Sequence, residues 1–361
     1  MKILDKYIAK QVITSILLVS LVLLGVDLFF TLVNELRFVA RTDYTLSNAF
    51  TYLALTAPTH LYTVFPWAAL VGALISLGTL AGHSELVVMR VAGISVLRIT
   101  GSVLKAALLL MVFIVFIGEG IAPETDQIAE NKRSWALSGG QSIQTSLGLW
   151  VRQGRDFIHV KSVQPNGELL GVTRYLFSNN RKLQEVSMAL KAIPEGNTWH
   201  LFDIVGTRFE PHKTETFKTE SLSVEHLLDP EILQTATVKH PERLSLSMLL
   251  RIIEQREKNE LNTRNYTVAF WSKIFHPLVI LLMVFLAVPF VFGPLRSVSM
   301  GFRIVSGLIV AFLFHTLNSL FVPLAVVYQL PPVLAVLTPI FLFGGLGIWM
   351  LKRVNPKVLF K

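Results

Sequence analysis

The chain has 361 residues, of which 52% are hydrophobic and 16% charged, and its net charge is +9. Soluble domains carry about 25% charged residues, so this composition and a mean hydropathy of +0.55 exclude an ordinary soluble protein. The sequence contains no cysteine, which excludes disulfides, thiol catalysis and cysteine-ligated metals.

Six apolar runs reach the length of roughly 20 residues that a helix needs to cross a bilayer. The first follows three lysines, but it is longer than a signal-peptide core and lacks a small-residue cleavage site, so we interpret it as a retained span. The predicted spans cover about residues 12–33, 58–81, 99–121, 268–292, 302–327 and 333–351.

The distribution of basic residues predicts the orientation of these spans. An even number of spans places both termini on one side, and the short segments of that side hold eleven lysines and arginines. The short loops of the opposite side hold two, Arg37 and Arg41. The positive-inside rule therefore predicts a multi-pass inner-membrane protein with cytoplasmic termini and an extracytoplasmic segment between the third and fourth spans. Because the cations lie mainly at membrane edges, nucleic acid is not an expected partner.

The polar middle of the chain predicts an antiparallel β domain, either a sandwich or an open barrel. Turn-forming sequences such as Pro165-Asn166-Gly167 separate its strands, and a helix capped by Ser245 follows them. The predicted domains are residues 1–122 with three spans, 123–266 with the β domain and a connecting helix, and 267–361 with three more spans. The predicted strands are residues 147–152, 157–163, 169–177, 183–192, 199–209 and 214–224.

Catalytic motifs are missing from the sequence. There is no G-x-x-x-x-G-K-[ST] phosphate loop, no H-E-x-x-H and no G-x-S-x-G. The nine histidines lack metal-ligand spacing. We therefore predict a chain that is not an enzyme, does not hydrolyse nucleotide by itself and holds no metal.

Residues 84–95, between the second and third spans, predict a short helix parallel to the membrane, which Ser84 begins and Gly93 ends. One interpretation is an interfacial helix that only completes the turn. The other is a coupling helix that docks into a groove on a cytoplasmic partner. The residues assigned to docking are Ser84, Glu85, Leu86, Met89 and Arg90.

Ionisable residues inside spans are costly and suggest function by default. Asp27 lies in the first span, Glu119 near the end of the third and Lys273 near the start of the fourth. They either join helices as polar contacts or serve transport, and both readings stay open. His315 in the fifth span is expected to hydrogen-bond in a helix contact, as polar residues in membranes commonly do.

Basic residues also gather at the predicted outer mouth. Arg37 and Arg41 follow the first span, and Lys132 and Arg133 follow the third. Their side chains suit the phosphates of an amphiphile that leaves the bilayer. Positive charges that merely anchor helices at lipid head groups give the same pattern, so both interpretations remain.

Several short motifs, in a fixed order around the inserted β domain, resemble one family across essentially the whole chain. They are Leu4-Asp5-Lys6-Tyr7-Ile8, Phe65-Pro66, Ser84-Glu85-Leu86-Val87-Val88-Met89, Gly118-Glu119, Gly148-Leu149-Trp150, Trp271-Ser272-Lys273-Ile274-Phe275 and Phe292-Gly293-Pro294-Leu295-Arg296-Ser297-Val298. The family is that of the LptF/LptG (YjgP/YjgQ) lipopolysaccharide export permeases, and the likeness is greater to its LptG members.

This resemblance implies an α-helical membrane protein with six transmembrane helices and a periplasmic antiparallel β-jellyroll-like domain. It implies a heterodimer with LptF, a cytoplasmic LptB ATPase dimer that uses ATP and Mg, and LptC at the periplasmic side. The complex extracts lipopolysaccharide from the outer leaflet and passes it to a jellyroll bridge, and this chain itself binds no cofactor.

The resemblance also implies roles for single residues. Glu85 belongs to the coupling helix with Arg90 nearby, and Arg37 and Arg133 match positions where the family carries basic residues near the lipid entrance. Relatives can carry a lysine where this chain has Thr31. Arg41 is therefore a candidate to replace that lysine as a phosphate contact.

Three competing functions were weighed against this resemblance. A lipoprotein-releasing or MacB-like permease also pairs with a separate ATPase, but it usually has four spans with a large domain after the first. A membrane-anchored assembly protein whose β domain only binds partners predicts no lipid-stimulated ATPase. An intramembrane enzyme lacks support from any catalytic motif.

Overall fold

The computed structural model describes residues 3–39, 44–137, 143–153, 156–163, 167–178, 182–195, 198–210, 213–225, 241–258, 261–293 and 298–354. The first part of this chain is helical. Its elements are α1 (Ile3–Val39), α2 (Leu46–Gly82), α3 (Glu85–Val91), α4 (Val96–Phe116), a π-helical turn (Ile117–Ile121) and α5 (Ala122–Leu137).

A sheet and four further helices follow. The strands are β1 (Ile143–Gln153), β2 (Asp156–Val163), β3 (Leu169–Phe177), β4 (Leu183–Glu195), β5 (Thr198–Phe209) and β6 (Thr214–Glu225). A 3₁₀ turn (Pro241–Arg243) then leads to α6 (Leu246–Lys258), α7 (Arg264–Phe292), α8 (Met300–Val327) and α9 (Pro332–Val354).

Within the described residues, six helices are long and apolar enough to cross a membrane, three before the sheet and three after it. The prediction of six spans is confirmed, and the three-plus-three layout speaks against the four-span permeases. The third spanning helix runs from Val96 to Leu137 without a break. It exceeds its predicted end because its last part is a polar helix, which an apolar run cannot reveal.

The helices alternate in direction, which gives the bundle two ends. One end is named the β-domain end: α1 finishes there, α5 leads from it into β1, and α7 begins there. The opposite end is named the terminal end. Helix α2 is central, since 72% of its most apolar stretch is buried, against 17% in each of α1 and α8. A Cβ at Gly72 in α2 would lie 2.6 Å from the backbone of Ile16, so glycine allows α1 to approach closely.

The inserted domain is one antiparallel sheet among the described residues, with its strands in the order β1-β2-β3-β4-β5-β6. All six predicted strands are present, and the antiparallel domain is confirmed. Alternating residues bury one face, in a cluster that includes Ile158, Val172 and Trp199. The predicted cap of α6 is also confirmed, because the Ser245 hydroxyl accepts a hydrogen bond from the Met248 amide at 3.3 Å.

Candidate functional site

Helix α3 presents apolar side chains at the terminal end. Leu86 is only 3% exposed, which argues against a direct contact with a partner, whereas Met89 is partly buried against the helical core and its docking role stays a prediction. The valines of the other face are exposed, Val88 at 65% and Val91 at 84%. This patch, Val87, Val88 and Val91, is named the valine face.

The start of α3 differs from the prediction. Ser84 adopts a left-handed conformation with φ of 60°, and its side chain makes no capping hydrogen bond. Its expected capping role is therefore wrong. Gly93 has φ of 83° beyond the last turn, a conformation that glycine adopts without strain. The Tyr7 hydroxyl donates to Glu85 Oε2 at 2.9 Å, and Arg90 is exposed.

The four cations predicted at the outer mouth fall into different environments. Arg37 and Lys132 are exposed at the β-domain end, whereas Arg41 lies outside the described residues. Arg133 is partly buried, and its Nε atom lies 3.1 and 3.0 Å from the two carboxylate oxygens of Glu35. Arg133 is thus paired with a buried carboxylate, and its role in binding lipopolysaccharide stays a prediction.

Aromatic rings and a second carboxylate complete the surroundings of Arg133. Its guanidinium carbon lies 4.7 Å from the ring centre of Phe38 and 5.2 Å from that of Tyr52, within cation–π range. The nearest oxygen of Glu130 is 3.8 Å from Nη1. Sequence reasoning missed Glu35, since 98 residues separate it from Arg133 and no spacing rule links them.

Glu130 extends this network towards the segment that follows the sheet. Its Oε1 accepts a hydrogen bond from the Tyr52 hydroxyl at 3.0 Å and lies 3.6 Å from Nη1 of Arg243. Arg243 belongs to the 3₁₀ turn before α6. The network therefore joins α1, α2, α5 and the return path from the β domain.

The polar residues predicted inside the spans all have partners. Asp27 Oδ2 lies 2.5 Å from Nδ1 of His60 on α2, a residue that the sequence did not single out. The His315 ring lies 5.1 Å from that of Trp67 on α2, a ring contact between helices, whereas the hydrogen bond that His315 makes, at 3.5 Å, is to Ser319 of its own helix. These positions fit helix-to-helix contacts.

Glu119 lies where four elements meet. One carboxylate oxygen is 2.7 Å from Nζ of Lys273 on α7, and the other accepts the backbone N–H of Leu246 at the start of α6, at 2.9 Å. Anions are favoured at helix N-termini. The next residue back, Gly118, faces α2, since a Cβ there would lie 2.2 Å from the Tyr62 ring.

A metal centre finds no support in the part of the chain that the structure describes. No group of three or more His, Asp or Glu side chains there is arranged to hold an ion. Several charged residues at the β-domain end instead pair acid with base.

Comparison with known proteins identifies the relatives of this architecture. The family described as lipopolysaccharide export system permease LptF/LptG matches residues 6–353. Over 354 residues the chain is 35% identical to lipopolysaccharide export system permease protein LptG of Escherichia coli (strain K12), covering 97% of this chain and 98% of that protein. It is 34% identical over 357 residues to the LptG protein of Haemophilus influenzae (strain ATCC 51907 / DSM 11121 / KW20 / Rd), with the same coverage. The motif resemblance is confirmed, and the chain belongs to the LptF/LptG family of lipopolysaccharide export permeases.

Proposed function

We propose that this chain is the LptG-type permease subunit of an ABC transporter that extracts lipopolysaccharide from the outer leaflet of the inner membrane. The observation that carries the proposal is the family match over nearly the whole chain, together with six apolar helices. The sequence has no phosphate loop, so ATP and Mg are used by a separate cytoplasmic ATPase dimer, LptB. The chain itself is not catalytic.

Two weakly packed helices support a cavity shared with the LptF subunit. In α1 and α8 most of the apolar surface is not buried by this chain, and it includes Leu21, Phe29 and Phe312. An apolar face of that kind suits acyl chains or a partner helix. We propose that α1 and α8, with their counterparts on LptF, line the space that receives the acyl chains.

The valine face of α3 supports docking to the ATPase. Exposed apolar patches mark interaction sites when polar residues surround them, and Glu85 and Arg90 flank this one. With the termini in the cytoplasm, as the basic residues predict, α3 faces that compartment. We propose that ATP-driven closure of the ATPase dimer pushes on α3.

The opposite end of the bundle supports recognition of the lipid head group. Arg37 and Lys132 are exposed at the β-domain end, where the phosphates of lipopolysaccharide would leave the periplasmic leaflet. Charge-assisted hydrogen bonds to phosphate are among the stronger polar contacts. When the cavity narrows, its affinity for the lipid falls, and the lipid moves on.

The β domain, with LptC as a further partner, belongs to the periplasmic jellyroll bridge in this proposal. The buried face of its sheet is apolar, as acyl chains require, but its own side chains fill it, with Trp199 only 1% exposed. Acyl chains that enter this face must therefore displace these side chains.

Photocrosslinking from position 37 tests the proposal. A photoreactive residue there, in membranes that contain the partner subunits, is expected to give ATP-dependent adducts to lipopolysaccharide. The matched control is position 349, where an exposed tryptophan lies at the terminal end of α9. Adducts only to protein at position 37, with and without ATP, would contradict the export function and favour an assembly protein.

A further inference from the structure

Arg133, at the β-domain end, already has a binding partner, and this partner would compete with a lipid head group. A guanidinium binds carboxylate and phosphate through the same planar N–H groups. The Nε of Arg133 is already shared between both oxygens of Glu35, and the Glu35 side chain is only 6% exposed. Arg133 cannot offer that edge to a phosphate while Glu35 holds it.

The environment of Glu35 is arranged to hold a carboxylate. Burial, followed by the negative charge of Glu35, raises the pKa of the Tyr44 phenol. Tyr44, only 2% exposed, is therefore a buried, protonated phenol within electrostatic reach of that carboxylate. The charge of Glu35 thus retains a polar neighbour if Arg133 turns away, which lowers the cost of breaking the pair.

The same pair determines where the end of α1 lies. Glu35 and Phe38 belong to the last turns of α1, and both contact Arg133 of α5. Further back along α1, Asp27 pairs with His60, and Leu28 and Leu32 pack beside Tyr52 and Ala129, so Glu35 and Phe38 act on the last turns of the helix. The Glu35–Arg133 pair is therefore a clasp between the first helix and α5.

We propose that Glu35 is a positioning residue that competes with the anionic head group for Arg133, so that phosphate binding opens the clasp. Without lipid, the carboxylate neutralises Arg133 and pins α1 to α5. A head-group phosphate takes over the guanidinium, Glu35 turns to Tyr44, and the end of α1 is released. Glu130 keeps its contact with Arg243 throughout. The inference rests on the proposed function, since it assumes a phosphorylated lipid.

Binding of fluorescent lipopolysaccharide to the complete transporter complex in nanodiscs tests this competition. Glu35→Gln removes the competing charge and is expected to tighten binding about fivefold or more, the lower range of coupled equilibria. Glu130→Gln is the matched control. It makes the same charge change beside the same guanidinium, but from 3.8 Å and with a more exposed side chain, so a change below about twofold is expected there.

Lipid chemistry and a conformational readout keep the inference falsifiable. Lipid A without phosphates should bind wild type and Glu35→Gln equally. Since this chain has no cysteine, nitroxides at Leu36→Cys and Asn131→Cys report the α1–α5 distance in complexes whose partner subunits carry no reactive cysteine. Lipopolysaccharide should lengthen that distance in wild type, and Glu35→Gln should show the longer distance without lipid. If that variant does not fold, Glu35→Asp, which keeps the charge with shorter reach, should bind between the two.

The outcomes separate the two proposals. Wild-type complex that binds no lipopolysaccharide contradicts the proposed function and this inference with it. Wild-type binding with no gain in Glu35→Gln, an equal gain in Glu130→Gln, or an α1–α5 distance that lipid does not change overturns the competition alone.

Discussion

The two ends of the helical bundle are held together by different interactions. At the β-domain end, ion pairs such as Glu35–Arg133 and Glu119–Lys273 link helices that are far apart in sequence. At the terminal end, apolar packing is accompanied by a longer ion pair, between Lys105 and Asp5 at 3.7 Å, and Arg303 donates to the backbone carbonyl of Gly78 at 2.6 Å. Ion pairs thus fix the end from which the β domain emerges.

The contrast has a consequence for where partners bind. Charged side chains in ion pairs already have their counter-charges and offer few groups that could bind another molecule. An exposed cation such as Arg37 is the exception. The terminal end instead exposes the valine face, which gains from being covered by another protein. Polar closure at one end and apolar exposure at the other agree with a lipid site and a protein site at opposite ends.

The largest expected effect on stability comes from breaking the ion pair between Glu119 and Lys273 at the β-domain end. Glu119→Gln leaves the ammonium of Lys273, only 6% exposed, without its counter-charge, and removes the charge that faces the start of α6. Breaking a buried pair from one side costs about 3 kcal/mol. We expect a clearly lower melting temperature of the detergent-purified protein.

The double variant Glu119→Gln with Lys273→Met provides the control for that loss. Removing both charges should recover a large part of the stability, because no unpaired charge is left. If the single variant melts like wild type, the pair does not hold the β-domain end.

A glycine in the π-helical turn gives the next largest effect. The Cβ of Gly118→Ala would lie 2.2 Å from the Tyr62 ring, whereas that of Gly120→Ala meets its nearest neighbour at 3.9 Å. Overpacking costs about 1–3 kcal/mol, so the first variant should melt lower. The second should be neutral or slightly stabilising. Equal melting temperatures would show that α2 yields to the added methyl group.

The elements that the sequence predicted are those with a local signal. Spanning helices follow from apolar runs, and strands such as Leu169–Phe177 follow from short runs between turn residues. The polar helix Ala122–Leu137 was missed because it lacks an apolar stripe of spanning length. Ser84 was misassigned because its residue type suits a cap while its backbone does not.

The part of the site that could not be predicted from the sequence consists of pairs between residues far apart along the chain. Arg133 and Lys132 are adjacent in sequence and alike in charge, yet Arg133 is partly buried and paired with Glu35, whereas Lys132 is exposed. The difference comes from Glu35, on a helix that reaches α5 only in the folded chain. His60 opposite Asp27 is a second case, since neither residue type nor spacing identifies such a pair.

A charge on the valine face should disrupt the docking proposed for the terminal end. Val91→Glu places a carboxylate on a side chain that is 84% exposed, so the isolated subunit should fold normally. Its docking to the ATPase should weaken by about 1–2 kcal/mol, the range of a substantial interface residue. Co-purification of the ATPase and its hydrolysis rate in the complex measure this, with Val91→Ala as the milder control. Unchanged co-purification would remove docking from α3.

The smallest expected effect distinguishes two roles of Glu85 at the terminal end, contact with the ATPase and contact with α1. Glu85→Ala removes both a partner for the ATPase and the acceptor of the Tyr7 hydroxyl, whereas Tyr7→Phe removes only the internal hydrogen bond, 2.9 Å long and exposed. An exposed hydrogen bond contributes little to stability, so Tyr7→Phe should transport lipopolysaccharide like wild type. Glu85→Ala should hydrolyse ATP with reduced transport, because the push from the ATPase no longer reaches the helices. Equal behaviour of the two variants in transport by reconstituted vesicles would assign Glu85 to the contact with α1 instead of the ATPase.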